Sequence, residues 1–210
     1  MHRLGLDANV QKAAQEIGIN VAETAQEADG TKYIGNINWN QGLSINAKLG
    51  NQTLNPRQFV DFLNLLKSGR AYNGNGNVVD SQRLGAILDE IVGVRDPWRA
   101  EWLDAKFDGN NLVYHVIEST GQLREIKESL VDYLSVNKTP GINMNDWLKD
   151  ANYQGLPKSN IKDGKLFYWA PFDGTVAGFF AVSGRADLDC DRDPSDSFAS
   201  LGVRPVREKN

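Results

Sequence analysis

The sequence predicts one α+β domain, with helices in the first two-thirds and a strand- and loop-rich C-terminal segment. Two observations lead there. Before residue 152, apolar residues recur at helical spacing in several separate stretches; after residue 165, the pattern becomes short alternating runs broken by Gly, Asp and Pro. A third observation concerns organisation: no repeat and no Pro- or Ser-rich linker divides the 210 residues, so 1–210 reads as a single unit.

In chain order, residues 7–28 read as a helix. Asp7 is placed to cap it, Leu6 precedes the cap, and Val10, Ala13, Ala14, Ile17, Val21 and Ala25 form the stripe. From Thr31 to Leu54, Gly and Asn are frequent, and alternation such as Leu43-Ser44-Ile45-Asn46-Ala47 predicts short strands joined by turns. Asn55-Pro56 opens a helix as cap and first helical position, with Phe59, Phe62, Leu63 and Leu66 on one face and Gly69 as the stop. Residues 73–77, Asn-Gly-Asn-Gly-Asn, read as a loop; neither a Gly-Lys-Ser/Thr nor a GxGxxG spacing marks it as a phosphate cradle. Asp80 caps the next helix over Leu84, Ile87, Leu88 and Ile91.

A hairpin follows, with Leu103, Ala105 and Phe107 alternating against Asp104, Lys106 and Asp108, a turn at 108–111, and a return from Leu112 to Ile117. Leu123, Ile126, Leu130 and Leu134 predict a further helix that Pro140-Gly141 breaks, and residues 145–151 with Trp147 and Leu148 a short helical piece.

Composition removes several function classes. With 23 Lys and Arg against 27 Asp and Glu, the net charge is −4, and no basic run offers a nucleic-acid footprint. Cys190 is the lone cysteine, which excludes an intrachain disulfide and a cysteine-based zinc site; His2 and His115 follow no metal-ligand spacing. No cofactor or metal is expected. The opening MHRLGLDANV lacks the apolar core of a signal peptide, and no segment approaches transmembrane length, so no membrane insertion is expected and no location is assigned.

The C-terminal segment carries the functional signal. Ala177, Phe179, Ala181 and Ser183 share one side of a strand, with Gly178, Phe180, Val182 and Gly184 on the other; Ala186, Leu188 and Cys190 then alternate with Asp187, Asp189 and Asp191. The first member of each set suits a core. The second is an odd mixture for a strand surface. From Ala170 to Ala199, moreover, Lys, Glu, Gln, Met, Trp and Asn are all missing, although every one occurs elsewhere in the chain. Codons ending in a fixed pyrimidine cannot encode Lys, Glu, Gln, Met or Trp. Randomising the first two positions of asparagine codons would yield the residues seen and mostly remove asparagine.

On these residues the segment resembles the variable region of archaeal diversity-generating retroelement proteins, in which adenine-directed mutagenesis rewrites chosen codons near the end of a C-type-lectin-like fold. The matching frame is Tyr168-Trp169, Pro171, Val176-Ala177, Phe179, Ala181, Ser183, Ala186, Leu188, Cys190, Pro194 and the closing LGVRPVR of 201–207. Residues 87–107 and 144–157 match more weakly and residues 1–80 poorly; 165–207 is the variable region.

The resemblance implies a C-type-lectin-like domain in which frame residues are scaffold and the positions between them bind a macromolecular ligand, most naturally a protein. Those positions are Gly178, Phe180, Val182, Gly184, Asp187, Asp189, Asp191, Arg192, Asp193, Ser195, Asp196 and Phe198, with Phe172 and Gly174 at the looser margin. The implied function is recognition, not catalysis.

Two alternatives come from the same fold. One is a calcium-dependent carbohydrate lectin, because Asp187, Asp189, Asp191 and Asp193 are spaced like loop ligands; the EF-hand glycine and final carboxylate are replaced by Arg192 and Phe198, and the Glu-Pro-Asn or Gln-Pro-Asp sugar motif is absent. The other is a relative of the formylglycine-generating enzymes, whose paired active cysteines this chain lacks. Trp98, Trp102, Trp147, Tyr168 and Trp169 read mainly as core packing, and Arg204 and Arg207 as anchors of the last strand. His115 sits in the hairpin with no orienting carboxylate evident from spacing.

Overall fold

The computed structural model describes residues 3–4, 8–19, 23–26, 32–72, 76–96, 98–118 and 120–205. The chain is α+β: helices pack on both faces of a large mixed sheet. The N-terminal third holds β1 (Arg3–Leu4), α1 (Ala8–Glu16), β2 (Glu23–Gln26), β3 (Lys32–Gly35), α2 (Trp39–Lys48) and α3 (Pro56–Lys67). A small hairpin, β4 (Ala71–Tyr72) with β5 (Val78–Val79), leads to α4 (Ser81–Val92). The meander β6 (Arg99–Asp108), β7 (Asn111–Ile117) and β8 (Leu123–Ser129) is followed by β9 (Lys138–Ile142), α5 (Met144–Asp150) and β10 (Leu166–Trp169). The C-terminal segment supplies β11 (Val176–Val182), β12 (Arg185–Arg192) and β13 (Leu201–Val203).

In the sheet the order is β1-β2-β3-β13-β6-β11-β12-β10-β9, with β7 branching from the far end of β6 and carrying β8. The last strand therefore closes on an early one. β13 pairs antiparallel with β3 and parallel with β6, and Gly202 approaches so near that an added Cβ would stand 1.9 Å from the Ile34 carbonyl oxygen. Arg204, from the LGVRPVR run, extends this closure through its Nε, 3.0 Å from Glu101 on β6, both side chains being buried; Arg207 lies outside the described residues.

Period-two alternation divides the apolar residues of the sheet between two cores. Leu103, Ala105 and Phe107 of β6, Ala177 and Phe179 of β11, Leu188 and Cys190 of β12 and Tyr168 of β10 face α3, α4 and α5, where Phe59, Leu63, Ile87 and Trp147 complete the larger core. Ala100 and Trp102 of β6, Val176 and Phe180 of β11, and Leu201 and Val203 of β13 face α1 and α2. The inward assignment of Ala177, Phe179, Leu188 and Cys190 thus agrees with the structure.

Three predicted elements differ. The first helix spans Ala8–Glu16 with Gly18 beyond it at φ +72°, and Ala25 lies in β2; Leu6, Asp7 and Val21 fall outside the described residues. Residues 43–47 belong to α2. Its start is fixed by a capping box in which the Asn38 side chain accepts from the Gln41 backbone and Gln41 returns the bond, and Trp39, Gly42, Leu43 and Asn46 form one buried helical stripe. Residues 123–129 form β8, paired with β7 from Ile117↔Leu123 to Asn111↔Ser129, because the turn before Leu123 directs the chain back along β7. Leu130 and Leu134 still reach the core, from a loop.

The other predicted helices and the 103–117 hairpin stand. α3 begins at the Asn55 cap with Pro56, α4 at Asp80 and α5 at Asn143, and Gly109 turns the hairpin at φ +58°. Pro140-Gly141, predicted to break a helix, lies within β9, where the Thr139–Pro140 peptide is cis. Of the 73–77 loop, residues 73–75 lie outside the described residues.

Candidate functional site

The face of the sheet opposite the larger core is only half covered. α2 packs on β13 and β6, and α1 packs on α2, so the helical layer lies over the β3-β13-β6 half. Beyond β6, the same face continues across β11, β12 and β10. There Phe180 pairs with Asp187 and Gly178 with Asp189, while β10 brings Phe167 beside Asp187 and Trp169 beside Asp189. Cross-strand partners point to one side, so these residues form two adjacent rows.

An aromatic wall stands at one margin. Trp98, just before β6, stacks over Phe180 with ring centroids 6.3 Å apart and meets Phe198 edge-on at 6.0 Å. The 193–200 loop that carries Phe198 is pinned by backbone bonds from Trp39 N–H to the Pro194 carbonyl and from Asn36 N–H to the Phe198 and Leu201 carbonyls. Together Trp98, Trp169, Phe180, Val182, Arg185, Asp187, Asp189, Asp191, Arg192 and Phe198 line a cleft of about 450 Å³.

Its floor is acidic but largely out of water. Asp187 is 4 % exposed, Asp189 7 % and Phe180 6 %, so three side chains predicted to face solvent freely are instead enclosed. The aromatic wall, the flanking strands and the pinned loop enclose them. Burial raises the Asp187 carboxyl, and Arg185 partly offsets this, its Nε 2.9 and 3.1 Å from the two oxygens. Burial, with the neighbouring Asp191, pushes Asp189 up to about 8. The Asp191 backbone N–H donates to Asp189 Oδ1 at 3.2 Å, and the Arg192 guanidinium stands 4.0 Å from Oδ2.

Arg192 is held by an ion pair with Asp196 and lies over the Phe180 ring at 5.2 Å; its Nε is buried and finds no acceptor among the described residues. Arg185 lies over Phe167 at 4.8 Å. Gly178 is needed under the Phe180 ring: a Cβ there would stand 2.9 Å from Phe180 Cε2.

The other assigned positions fall around this cleft. Asp193 accepts from the Ser195 backbone and hydroxyl at 2.8 and 2.7 Å, shaping the loop while remaining exposed. Gly174 and Gly184 occupy turns at φ +81° and +89° at the two ends of β11. Phe172 is 70 % exposed in the β10–β11 loop and does not line the cleft. Trp98, Trp169 and Arg185 were not assigned to the site from sequence. Trp102, Trp147 and Tyr168 are buried as expected, but Trp98 and Trp169 turn to the cleft because one precedes β6 and the other lies on the second face of β10.

The calcium spacing dissolves in three dimensions. Asp187 and Asp189 are strand residues, the first already paired with Arg185 and the second next to Arg192, and among the described residues no group of three His, Cys, Asp or Glu could hold a metal ion. Elsewhere, His115 does have an orienting carboxylate: its Nδ1 is 2.9 Å from Asp104 Oδ1, and its backbone N–H donates to Oδ2 at 2.7 Å. That hydrogen bond raises the His115 pKa, while burial raises Asp104. Among the described residues no helix is long and apolar enough to cross a membrane.

Compared with protein families, curated proteins and solved structures, the chain matches none of them.

Proposed function

We propose that the chain is a recognition protein of the archaeal diversity-generating retroelement type, with a C-type-lectin-like architecture, whose cleft binds a protein ligand through rewritten positions. One observation carries the reading. Phe180, Val182, Asp187, Asp189, Asp191, Arg192 and Phe198, all inside the segment that lacks Lys, Glu, Gln, Met, Trp and Asn, converge on one cleft. Coding bias and concavity coincide, although nothing in the coding argument refers to shape.

The scaffold suits such a role. Frame residues Phe179, Leu188 and Cys190 are buried in the larger core, and strands β13 and β3 lock the segment shut behind it. Binding is favoured over thiol chemistry because Cys190 is fully buried on the core side, where burial raises its pKa far above the usual thiol range.

The first test is genetic. DNA flanking the coding sequence is expected to hold a reverse transcriptase and a near-copy of codons 165–207 differing only at adenines. The second is direct: a protein display library is panned against the chain, then against a variant carrying Val182→Ser, Asp191→Tyr and Phe198→Ser. Binders are expected to lose the variant while it still unfolds in one cooperative transition with the parent's far-UV signal, since Asp191 and Phe198 are exposed, Val182 is half-buried, and each change is expected to cost about 1 kcal/mol. Absence of the adenine-differing copy would remove the retroelement origin, and binders indifferent to the triple change would remove the cleft as the site.

A further inference from the structure

The cleft has a chemistry more specific than an acidic face. Its two floor carboxylates are unequal. Asp187 is already matched by Arg185 in a two-oxygen contact, whereas Asp189 has no cation nearer than the Arg192 guanidinium at 4.0 Å; its other partners are the backbone N–H and the carboxyl of Asp191, with which it shares a proton. Trp169 stands beside Asp189 on β10, and on β11 its partner is Gly178, which brings no side chain. Two strand spacings separate Trp169 from the Phe180 side, about 10 Å, leaving an aromatic-edged slot above Asp189. The chain uses one arrangement twice on this face, a guanidinium over an aromatic ring beside a carboxylate: Arg185 with Phe167 and Asp187, Arg192 with Phe180 and Asp196.

We propose that the slot receives an arginine side chain of the protein ligand, its guanidinium stacked against Trp169 and paired with Asp189, on the side of that carboxylate away from Arg192 and Phe180. This rests on the reading of the cleft as the binding site. A planar, weakly hydrated cation matches both the aromatic faces and a carboxylate better than an ammonium does. At 450 Å³ the cleft has room for one long side chain and the backbone that carries it.

Binding is then coupled to a proton. The charged groups around Asp189 are Asp187, Asp191 and Arg192 on its own strand, Arg185 near the hairpin turn and Asp196 in the following loop; β10 and β11 present Trp169 and Gly178 to it. With its carboxyl pushed up to about 8, Asp189 is mostly protonated at pH 7, and a guanidinium must displace that proton. Affinity for arginine rises about tenfold per pH unit below 8 and levels above it, with close to one proton released at pH 7.

The probe is the peptide acetyl-Gly-Gly-Arg-Gly-Gly-amide, titrated calorimetrically at pH 6, 7 and 8 against its citrulline counterpart, which keeps shape and loses charge. The arginine peptide is expected to bind at least tenfold more tightly than citrulline at pH 8, and to release a proton when pH 7 buffers of different ionisation heat are compared. Asp189→Asn is expected to abolish both the preference and the pH slope. Equal binding of the citrulline peptide, a flat pH profile, or no arginine binding up to millimolar overturns the inference. Panned binders that require Val182, Asp191 and Phe198 but tolerate replacement of each of their own arginines overturn it too, while leaving the cleft as the binding site. Binders indifferent to those three residues overturn both.

Discussion

Leu188 and Asp189 are neighbours in sequence with opposite surroundings: the first is buried among Phe59, Trp147 and Phe179, the second lies under the cleft. Asp189 titrates far above its ordinary 3.8, because burial and Asp191 both disfavour the charged form. A raised folded-state pKa contributes stability that is complete below the unfolded value and is lost as pH rises through the folded one. The loss should run from the ordinary carboxylate range to about 8, with a slope of at most about 1.4 kcal/mol per pH unit. His115, raised by Asp104, adds a loss above its own usual range. Asp189→Asn removes its own contribution and keeps those of His115, Asp104 and Asp187, whose pKa values are raised as well. Urea denaturation at pH 5 and pH 8 is therefore expected to show a smaller drop for Asp189→Asn than for the parent chain; equal drops would mean that the carboxyl is well solvated. That Asp189 lies opposite Leu188 was legible in sequence. Its enclosure was not, because its covers, Trp98, Trp169 and Phe198, come from three other places in the chain.

Elements were legible where a local signal was unambiguous. Asn55-Pro56, Asp80 and the Asp108-Gly109-Asn110-Asn111 turn each fix backbone geometry within a few residues, and α3, α4 and the β6–β7 hairpin follow. They were misread where one pattern served two periods. Leu43, Ile45 and Ala47 alternate like a strand, yet Trp39, Gly42, Leu43 and Asn46 also mark a helical face, and the capping box at Asn38 selects the helix. Leu123, Ile126 and Leu130 fit a helix at three- and four-residue spacing, yet Arg124 and Lys127 stand opposite Val116 and Val113 in the β7–β8 ladder and their charged ends reach Glu118 and Asp108 beyond it. The cap can be tested by itself. Asn38→Ala removes the acceptor for the Gln41 N–H and should cost about 1 kcal/mol, read as a shift in the urea midpoint with an unchanged slope. No shift would mean that packing of Trp39 and Leu43 alone holds α2.

At the scale of the whole molecule, closure is the decisive feature. Residues 201–203 join β3 to β6, and Arg204 reaches Glu101 in a buried ion pair, so the last described strand is inserted between an early strand and β6 inside one sheet. Removing one member of a buried pair leaves the other charge stranded, so Arg204→Met should destabilise by about 3–5 kcal/mol. Combining it with Glu101→Gln should recover part of that loss in the same denaturation assay. A loss for Arg204→Met below about 1 kcal/mol would mean that the pair is effectively solvated, and that Gly202 and its strand pairings alone hold β13.

By itself the sequence determined the α+β class, most helix starts, and the two faces of 176–190, because side-chain direction in a strand reverses at every residue and needs no partner to be known. It also marked the segment with the restricted residue set. Only the tertiary structure decided which half of the second face stays uncovered. That depends on α2 docking against β13 and β6 from some sixty residues before β6 and more than a hundred and fifty before β13, a long-range packing choice that no local period encodes. From it follow the cleft, the enclosure of Asp187 and Asp189, and the entry of Trp98 and Trp169 into the site.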